Sequence, residues 1–347
     1  MKTVFENFDP NAPAQSGASN IFGLPSTLEN SDLVIVPVPW EVTTSYRPGT
    51  AEGPSLVFEA SMQVDLYDAD NPGAWKKGFY MLPVPEEIAE LSASWRTQAE
   101  ILIEALEEGG DPETDAGLSE IADQVNQASA DLNAWVYGQT KHLLESGKKV
   151  ALLGGDHSTP YGFIKALAEK HQSFAVLQID AHADLRKAYE GFRHSHASIM
   201  YNLITDLPNI NLVQFGIRDY CDEEVEFMAA HPDRIKTFFD RDIKRGQYEG
   251  KTWQQICAGL IATLPDKVYI SFDIDGLDPK LCPNTGTPVP GGFELEQVFY
   301  LFDQLRRSGK ELIGFDVNEV SGSEDGQETI DPIVGARLLY KLCGYLV

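Results

Sequence analysis

The chain has 347 residues, of which 43% are hydrophobic and 23% charged, a composition typical of a soluble globular enzyme rather than of a disordered or fibrous protein. Its 53 acidic and 27 basic residues give a formal charge of −26, which argues against nucleic acids and anionic membranes as partners and favours a small cationic ligand. The four cysteines form no CxxC pair, the first residues do not resemble a secretory leader, and no apolar stretch is long enough to span a bilayer, so we expect a reduced, cytoplasmic protein.

Short, almost wholly apolar runs recur along the chain and predict buried strands. They cover residues 33–38, 150–153, 174–179, 212–216, 268–272 and 312–315. Because nearly every position in them is apolar, rather than every second one, they are typical of a parallel sheet that is covered on both faces.

Helical patterns separate these runs. Apolar residues recur at helical spacing in residues 131–145, 161–170, 253–264 and 295–306. The alternation of strands and helices predicts an α/β fold with three layers, α/β/α, built on a mostly parallel, doubly wound sheet. No linker divides the pattern, so we expect a single domain over residues 1–347, preceded within it by an N-terminal extension of residues 1–31.

Residues from about 85 to 131 differ in composition from the rest of the chain. They are rich in Glu, Ala and Asp, and they contain GGDPETDAG, a loop signal between two helical stretches. We interpret this segment as an acidic helical insertion on the surface.

Four of the predicted strands are followed by carboxylates or histidines. The motif GGDH follows the run that ends at residue 153, DAHAD follows residue 179, DID follows residue 272 and DVNE follows residue 315. In parallel sheets, ligands bind beyond the carboxyl ends of the strands, where loops bring together groups from several strands. We therefore expect the chemistry at this edge of the sheet.

Three of these motifs supply candidate metal ligands. They are His157, Asp180, His182, Asp184, Asp273 and Asp275. So many acids at the ends of apolar strands would repel one another strongly unless cations compensated them. Four carboxylates and two imidazoles suit two Mn²⁺ ions better than a metal that prefers thiolates. The competing interpretation is that the strand-end aspartates cap the helices that follow.

The same motifs resemble those of the ureohydrolases, the family of arginases and agmatinases. GGDHS at 154–158, DAHAD at 180–184 and SFDIDGLDP at 271–279 are similar to the family's three metal-binding signatures, in the same order. SYRPGTAEGPS at 45–55 is similar to the N-terminal signature of agmatinases, and TGTPVPGG at 285–292 resembles the loop after the third metal motif. The resemblance covers most of the chain, and it implies an arginase-like fold.

The resemblance also implies two Mn²⁺ ions per subunit, although Ni²⁺ or Co²⁺ would accept the same ligands. One ion would be held by His157, Asp180, Asp184 and Asp273. The other would be held by Asp180, His182, Asp273 and Asp275, so that two aspartates bridge. Two close ions lower the pKa of a water molecule, so that hydroxide is present near neutral pH. The implied reaction is attack on a guanidinium carbon with release of urea, in a homotrimer or homohexamer.

Two further residues match catalytic positions of the family. Glu319, in GFDVNEV, resembles the glutamate that accepts hydrogen bonds from the guanidinium group, and its two oxygens suit that planar cation. His196, in HSHAS, resembles the histidine that is proposed to shuttle protons to the leaving amine, which an imidazole can do near pH 7. His194, two residues earlier, is the competing candidate and is interpreted as a loop residue. The predicted catalytic residues are therefore His196, Glu319 and the metal ligand Asp184.

The family acts on several guanidino compounds, so the metal site does not identify the substrate. The stretch LRKAYEGFRHSHAS after DAHAD departs from the Asn-containing loop of arginases and resembles that of microbial agmatinases. Agmatine, cleaved to putrescine and urea, is therefore the expected substrate, with Glu319 binding its guanidinium and Glu190 its distal ammonium. Arg186 or Arg193 would instead pair with a carboxylate, as guanidinobutyrate requires. Guanidinopropionate, free guanidine, arginine and formiminoglutamate are the other candidates.

Two alternatives come from other classes of protein: a binuclear-metal deacetylase and a non-enzymatic metal-binding relative. A deacetylase would have different ligand signatures, and a non-enzymatic relative would be expected to have lost Glu319 or His196. Both residues are present here. The stretch VSGSEDGQETIDP at 320–332, which replaces a shorter one in agmatinases, is a departure that affects the substrate assignment.

Three polar residues near the motifs are interpreted as structural. Asp156 and Asp278 are expected to accept hydrogen bonds in turns or at helix ends. Ser158 is expected to cap the following helix rather than to act as a nucleophile, because no Gly-x-Ser-x-Gly elbow surrounds it.

Overall fold

The computed structural model describes residues 3–13, 19–323, 326 and 330–347. In this part of the chain one sheet contains β1 (Leu33–Val38), β2 (Phe79–Met81), β3 (Lys149–Gly154), β4 (Phe174–Ile179), β5 (Ile210–Ile217), β6 (Ile235–Phe239), β7 (Lys267–Asp273) and β8 (Glu311–Asn318). The strands lie in the order β2-β1-β3-β8-β7-β4-β5-β6, and each described pairing is parallel. All six apolar runs lie within strands, so those six predictions are confirmed.

The two strands that the sequence did not predict are the outermost strands of this sheet. β2 has only three residues, and in β6 only Ile235 is fully buried. An edge strand has a neighbour on one side only and is partly exposed, so it does not need the continuous apolar run by which a central parallel strand is recognised.

The apolar runs are continuous because successive side chains enter two different cores. In β1, Leu33 and Ile35 belong to the core on one face of the sheet, whereas Val34 and Val36 belong to the core on the other face. Side chains alternate between faces along a strand, so a sheet that is covered on both sides requires apolar residues at every position.

Helices cover both faces of the sheet. The face of Leu33 is covered by α1 (Gly53–Ser61), α7 (Asp240–Tyr248), α8 (Trp253–Ile261), α9 (Leu295–Arg307) and α10 (Ile330–Leu346). The opposite face is covered by α2 (Glu86–Glu107), α3 (Ala116–Glu145), α4 (Tyr161–Lys170), α5 (Ile199–Asp206) and α6 (Asp222–Ala230). This arrangement confirms the predicted three-layer α/β/α fold.

The acidic segment from about residue 85 to 131 forms α2 and the first half of α3. Its predicted loop lies between the two helices, at residues 108–115. The expectation that the segment lies on the surface is wrong for one face, because Leu102 and Val125 are fully buried in the core. Glutamates and aspartates on the outer face make the average composition polar, although one stripe of each helix is apolar.

Part of the N-terminal segment also packs on the core, where Ile21 and Phe22 are buried. Part of the unusual stretch at 320–332 lies outside the described residues, namely 324, 325 and 327–329. In the described part of the chain, no helix combines the length and apolar character needed to cross a bilayer.

Candidate functional site

The polar motifs meet because their strands are neighbours in the middle of the sheet. β3, β8, β7 and β4 are adjacent in that order. β3 and β4 follow each other along the chain, but β8 and β7, which lie between them in the sheet, come about 90 residues or more after β4. GGDH follows β3, the glutamate of DVNE follows β8, DID begins at the last residue of β7, and DAHAD follows β4. The site therefore lies at the carboxyl ends of parallel strands, where it was expected.

One group of candidate ligands surrounds the imidazole of His157. Its Nδ1 atom lies 2.9 Å from Asp180 Oδ2, 3.1 Å from Asp184 Oδ2 and 3.4 Å from Asp273 Oδ2. All four side chains are buried. Yet His157 Nδ1 and Asp184 Oδ2 have no hydrogen-bond partner among the described residues. These atoms converge on one small volume, as the ligands of a cation do, rather than pairing with one another.

A second group forms around His182, which is more exposed. Its Nδ1 atom lies 3.0 Å from Asp275 Oδ2 and 3.7 Å from Asp180 Oδ1. Single ligand atoms of Asp180, His182 and Asp275 lie within 4.8 Å of one another, as do those of His157, Asp180 and Asp273. Asp180 belongs to both groups, so its carboxylate could supply a ligand atom to each of two ions.

The tautomer of His157 is set by a buried network behind the ring. His157 Nε2 lies 2.9 Å from Ser271 Oγ, and that hydroxyl donates to Asp316 Oδ1 at 3.0 Å. The serine hydrogen is thereby used, so Ser271 accepts a hydrogen bond from Nε2–H. With Nε2–H held in this bond, a neutral ring would have the lone pair of Nδ1 free to bind a metal ion placed among the carboxylates.

The sequence motifs do not indicate that Ser271 and Asp316 belong to the site. The available signal was a polar residue inside each of two otherwise apolar strands, since both side chains are fully buried. Asn318, in the same strand as Asp316, also donates to Asp316 Oδ1. Burial of polar groups requires such partners.

Burial and repulsion between carboxylates together oppose negative charge in the site when no cation is present. Burial, followed by the carboxylates of Asp275 and Asp180, raises the pKa of Asp273 well above its usual value. Burial and Asp180 raise the pKa of Asp184 to about 7. Burial alone would lower the pKa of His157, but the neighbouring carboxylates raise it well above its usual value. The site therefore gathers protons, a demand for positive charge that two divalent ions would satisfy.

Two residues of the site have a left-handed backbone. Asp184 has φ = 54° and Glu319 has φ = 63°, a conformation that costs free energy for residues other than glycine and is found mostly at functional sites. The preceding turn is also tightly constrained: a Cβ atom at Gly155 would lie 2.1 Å from the carbonyl oxygen of Trp40. This close approach explains the second glycine of GGDH.

A cavity of about 170 Å³ opens onto these ligands. Its lining residues are Ser45, His157, His182, Asp184, Arg186, Tyr189, His196, Ala197, Asp219, Tyr220, Glu224, Asp273, Thr287 and Glu319. The cavity thus brings together both predicted catalytic residues outside the ligand set and four of the six candidate ligands. Asp180 and Asp275 lie buried behind it.

The two competing histidines have different surroundings. His196 lines the cavity, and its ring meets that of Tyr189 edge to face at 6.1 Å between centroids. His194 lies in a turn and packs edge to face on Tyr161 at 5.8 Å. The helix that begins at His196 separates the two side chains, and the prediction that His194 is a loop residue is confirmed.

The predicted specificity residues also differ in whether they line the cavity. Arg186 lines the cavity, with its guanidinium 4.8 Å from the ring centre of Tyr189. Arg193 is largely exposed and pairs with Asp206 at 3.2 Å. Glu190 is not among the described residues that line the cavity, and its Oε2 atom is buried without a partner. Asp219, which the sequence analysis did not select, lines the cavity instead.

The three residues interpreted as structural give two confirmations and one correction. Asp156 Oδ1 accepts the backbone N–H of Ser158 at 2.9 Å, and Asp278 Oδ1 accepts that of Lys280 at 3.1 Å, so both act in turns. Ser158 is not a helix cap: α4 begins only at Tyr161, and the Ser158 hydroxyl donates to Asp156. The turn that contains His157 and Ser158 lies before the helix, so the helix begins only at Tyr161.

The environment of His196 predicts a pH dependence of stability. Burial, followed by the positive charges of His182 and His157, lowers its pKa to about 4, whereas the unfolded value is about 6.5. As the pH falls from about 6.5 to about 4, the unfolded chain binds a proton that the folded chain does not, so stability is lost by up to about 3 kcal/mol in this window. In metal-free protein, thermal unfolding followed over this range should show a shallower loss for His196→Asn than for wild type. Parallel curves would contradict the prediction.

Comparisons with known proteins agree with this geometry. The sequence model of the arginase family matches residues 31–344. The chain is 30% identical over 317 residues to the N(1)-aminopropylagmatine ureohydrolase of Synechocystis, covering 90% of this chain and 88% of that protein. It is 30% identical over 320 residues to the agmatinase of Pyrococcus horikoshii, covering 91% and 93%. The crystal structure of the agmatine ureohydrolase of Thermoplasma volcanium has the same fold, with a TM-score of 0.67, 22% identity and 92% of each chain covered.

Proposed function

Because this chain belongs to the arginase family, we propose that it hydrolyses a guanidinium C–N bond and releases urea, with agmatine as the principal substrate and putrescine as the second product. The observation that supports this most directly is the meeting of two histidine–aspartate groups and Glu319 at one cavity. The two relatives of about 30% identity are named for agmatine and an agmatine derivative.

The cofactor we propose is a pair of Mn²⁺ ions, for which Ni²⁺ or Co²⁺ would be the alternatives. One ion would be held by His157, Asp180, Asp184 and Asp273. The other would be held by Asp180, His182, Asp273 and Asp275. When bound, the pair supplies a hydroxide nucleophile near neutral pH and positive charge for the transition state. The shared position of Asp180 in both ligand groups supports this assignment.

Glu319 is proposed to orient the guanidinium group. Its Oε1 atom accepts the backbone N–H of His157 at 2.7 Å, which ties the carboxylate to the ligand turn. Burial and the carboxylate of Asp156 raise the pKa of Glu319 well above its usual value, so a cation beside it restores the ionised form. A planar guanidinium supplies both that charge and N–H donors for Oε2.

His196 is proposed to move the proton that the leaving nitrogen needs. Because its pKa is lowered to about 4, the ring is neutral at pH 7, and once protonated it would donate readily to the leaving nitrogen. It lines the same cavity as Glu319 and the ligands. Asp184, the third predicted catalytic residue, would act as a ligand.

The part of the substrate beyond the guanidinium would meet the outer residues of the cavity. Asp219 is 68% exposed in its side chain and lies 4.0 Å from His182 Nε2, so its carboxylate is placed to attract a distal ammonium group. This residue replaces Glu190 in the proposal. Agmatine has such an ammonium group, and the net charge of −26 also favours a cation.

One observation favours a second class of substrate. Arg186 lines the cavity, and in the described part of the chain no carboxylate lies at ion-pair distance from it. An arginine in this position suits a guanidino acid such as guanidinobutyrate or guanidinopropionate, because guanidinium and carboxylate form bidentate pairs. Its contact with Tyr189 is the alternative use of the side chain.

A substrate panel tests the proposal. Metal-loaded protein should release urea from agmatine with a higher kcat/KM than from aminopropylagmatine, guanidinobutyrate, guanidinopropionate, arginine or free guanidine. Formiminoglutamate is scored for formamide instead, because its hydrolysis yields no urea. If a guanidino acid leads and Arg186→Gln removes that preference by about tenfold or more, as loss of a charged pair predicts, the second class is correct. No product from any compound would contradict the hydrolase assignment and favour a non-enzymatic metal-binding protein.

We also propose that the chain forms a homotrimer or homohexamer in the cytoplasm. The support for the assembly is family resemblance alone. Sedimentation equilibrium distinguishes the two assemblies from a monomer.

A further inference from the structure

His196 lies where two loops meet, each of which reaches the cavity from a different strand. The first, which we call the β1 loop, comprises residues 39–45, and the second, the β4 loop, comprises residues 185–196. The backbone N–H of His196 donates to the side-chain oxygen of Thr43 at 3.3 Å. Ser45 and His196 both line the cavity. The position of the His196 ring therefore depends on where both loops lie.

Helix α2 binds the β1 loop with side chains. The guanidinium of Arg96 donates to the carbonyl oxygens of Thr44 and, at 3.5 Å, of Val42. One turn earlier in the helix, the hydroxyl of Ser92 accepts the backbone N–H of Glu41 at 3.0 Å. Ser92 is 1% exposed, and the side chain of Arg96 is 13% exposed. These bonds therefore form with little competition from water.

Helix α3 binds the β4 loop in a similar way. The side-chain amide of Asn126 donates to the carbonyl oxygen of Gly191 at 3.0 Å and accepts the backbone N–H of Arg193 at 2.7 Å. The loop also touches both helices, since a Cβ atom at Gly191 would lie 3.6 Å from Leu102 and 3.8 Å from Ala122. A single asparagine thus fixes two peptide groups of the loop.

These side-chain contacts are separate from the packing that docks the helices. Leu102 of α2 and Val125 of α3 are fully buried in the core of the sheet. Within the described residues, the side-chain hydrogen bonds of Arg96 and Asn126 go to loop backbone and, for Arg96, to Glu100 one turn along the helix. The charge of Arg96 also acts on Glu190 and on His196. Removal of either polar side chain leaves the apolar stripes intact. The helices should then stay in place while the loops gain freedom.

We propose that the α2–α3 hairpin is a clamp that positions His196 for proton transfer, with Arg96 and Asn126 as positioning residues. This inference rests on the proposed function in that it takes His196 to be the proton carrier. Arg96 holds the loop that binds the backbone of His196, and Asn126 holds the loop to which His196 belongs. A small displacement of a catalytic group lowers the rate strongly because the geometry of proton transfer is lost.

The first measurement is hydrogen exchange in metal-loaded protein. In Arg96→Met, amides of residues 41–45 and of His196 should exchange faster than in wild type by about ten- to a hundredfold, as loss of a charged hydrogen bond predicts. In Asn126→Ala, faster exchange should appear in residues 189–196. The control is Glu100→Gln, which removes the charge beside Arg96 but keeps an acceptor for it. Equal exchange in Arg96→Met and in this control would overturn the clamp.

The second measurement is turnover. Both Arg96→Met and Asn126→Ala should lower kcat by about tenfold or more with bound metal unchanged, and Arg96→Lys should recover part of the loss because it keeps one charged donor. In a His196→Ala background, Arg96→Met should have no further effect on kcat. A full additional loss in that background would show that Arg96 does not act through His196.

The two measurements separate this inference from the proposed function. If wild type releases product from no substrate, the function fails, and the exchange rates still decide whether the hairpin holds the loops. If Arg96→Met does not fold, Asn126→Ala provides the same test from the other helix. Unchanged exchange in residues 189–196 of that variant would overturn the inference.

Discussion

Asp273→Asn is expected to reduce turnover by at least about 100-fold, because replacing even a residue that only supports a metal ligand costs 10- to 100-fold. The same substitution is expected to stabilise the metal-free protein. Burial and the carboxylates of Asp275 and Asp180 raise the pKa of Asp273 well above its usual value, so at pH 7 this carboxyl group opposes folding when no cation is present.

The sign of this stability effect follows from linkage. A carboxyl group whose folded pKa exceeds its unfolded value holds a proton in the folded state that the unfolded chain releases, so it destabilises the protein increasingly as the pH rises above about 4. Asparagine removes the charge but keeps an oxygen that can accept the N–H of Asp275, as Asp273 Oδ1 does at 2.8 Å. In the presence of Mn²⁺ the order should reverse, because wild type gains more binding free energy.

Thermal unfolding of both proteins, with a chelator and with Mn²⁺, measures this reversal, and urea release measures the activity. The matched control is Asp278→Asn in the same motif, whose carboxylate bonds Lys280 in a turn and lies away from the ligands. A metal-free Asp273→Asn protein that is less stable than wild type would show that this aspartate is structural, as the helix-cap interpretation holds. Retained activity would exclude it as a ligand.

His196→Ala is expected to lower kcat by about 100- to 10,000-fold, the usual range for loss of a general acid or base. Metal content should not change, since His196 lies outside both ligand groups. The substrate complex should also survive, because Glu319 and Asp219 still line the cavity. The loss should therefore appear in kcat rather than in KM.

His194→Ala is the matched control for this variant. The two histidines are separated by one residue, but His194 packs on Tyr161 outside the cavity. It should retain activity to within a few-fold. Equal losses in the two variants would indicate that the segment is disturbed as a whole, and a larger loss in His194→Ala would transfer the proton-carrier role to His194.

The predictability of the fold depends on how deeply each strand is buried. The sequence predicts the bounds of inner strands such as β1 and β4, because side chains on both of their faces pack in a core and nearly every residue is apolar. The edge strands β2 and β6 are not predicted, because a partly exposed strand lacks a continuous apolar run. The sequence predicts the first half of α3 as helical but places it on the surface, since acidic residues on its outer face mask a buried stripe that includes Val125.

The predictability of the site depends on whether its residues are local in sequence. Spacing within DAHAD places Asp180, His182 and Asp184 on one loop after one strand, so these candidates could be named from the motif. The network of Ser271 and Asp316 behind His157 could not be predicted in this way. It joins β7, β8 and the turn after β3, and the order of these strands in the sheet has no local signal.

Substrate-facing residues were the least predictable. Glu190 was selected by its place in a motif, yet it does not line the cavity, whereas Asp219, from the loop after β5, does. The direction of a loop side chain depends on backbone angles and packing partners. Glu190 has a left-handed φ of 53°, which no sequence rule predicts for a glutamate.

The sequence by itself determined the parallel α/β class, the edge of the sheet that holds the site and the six candidate ligands, because these follow from hydrophobic periodicity and from motifs that lie within one loop. Only the tertiary structure decided that β3, β8, β7 and β4 are neighbours and that His196 rather than His194 lines the cavity. It also decided that side chains of α2 and α3 bind the two loops around His196. The physical reason is that such relations are contacts between residues distant along the chain, which depend on how strands pair and helices dock rather than on any local pattern.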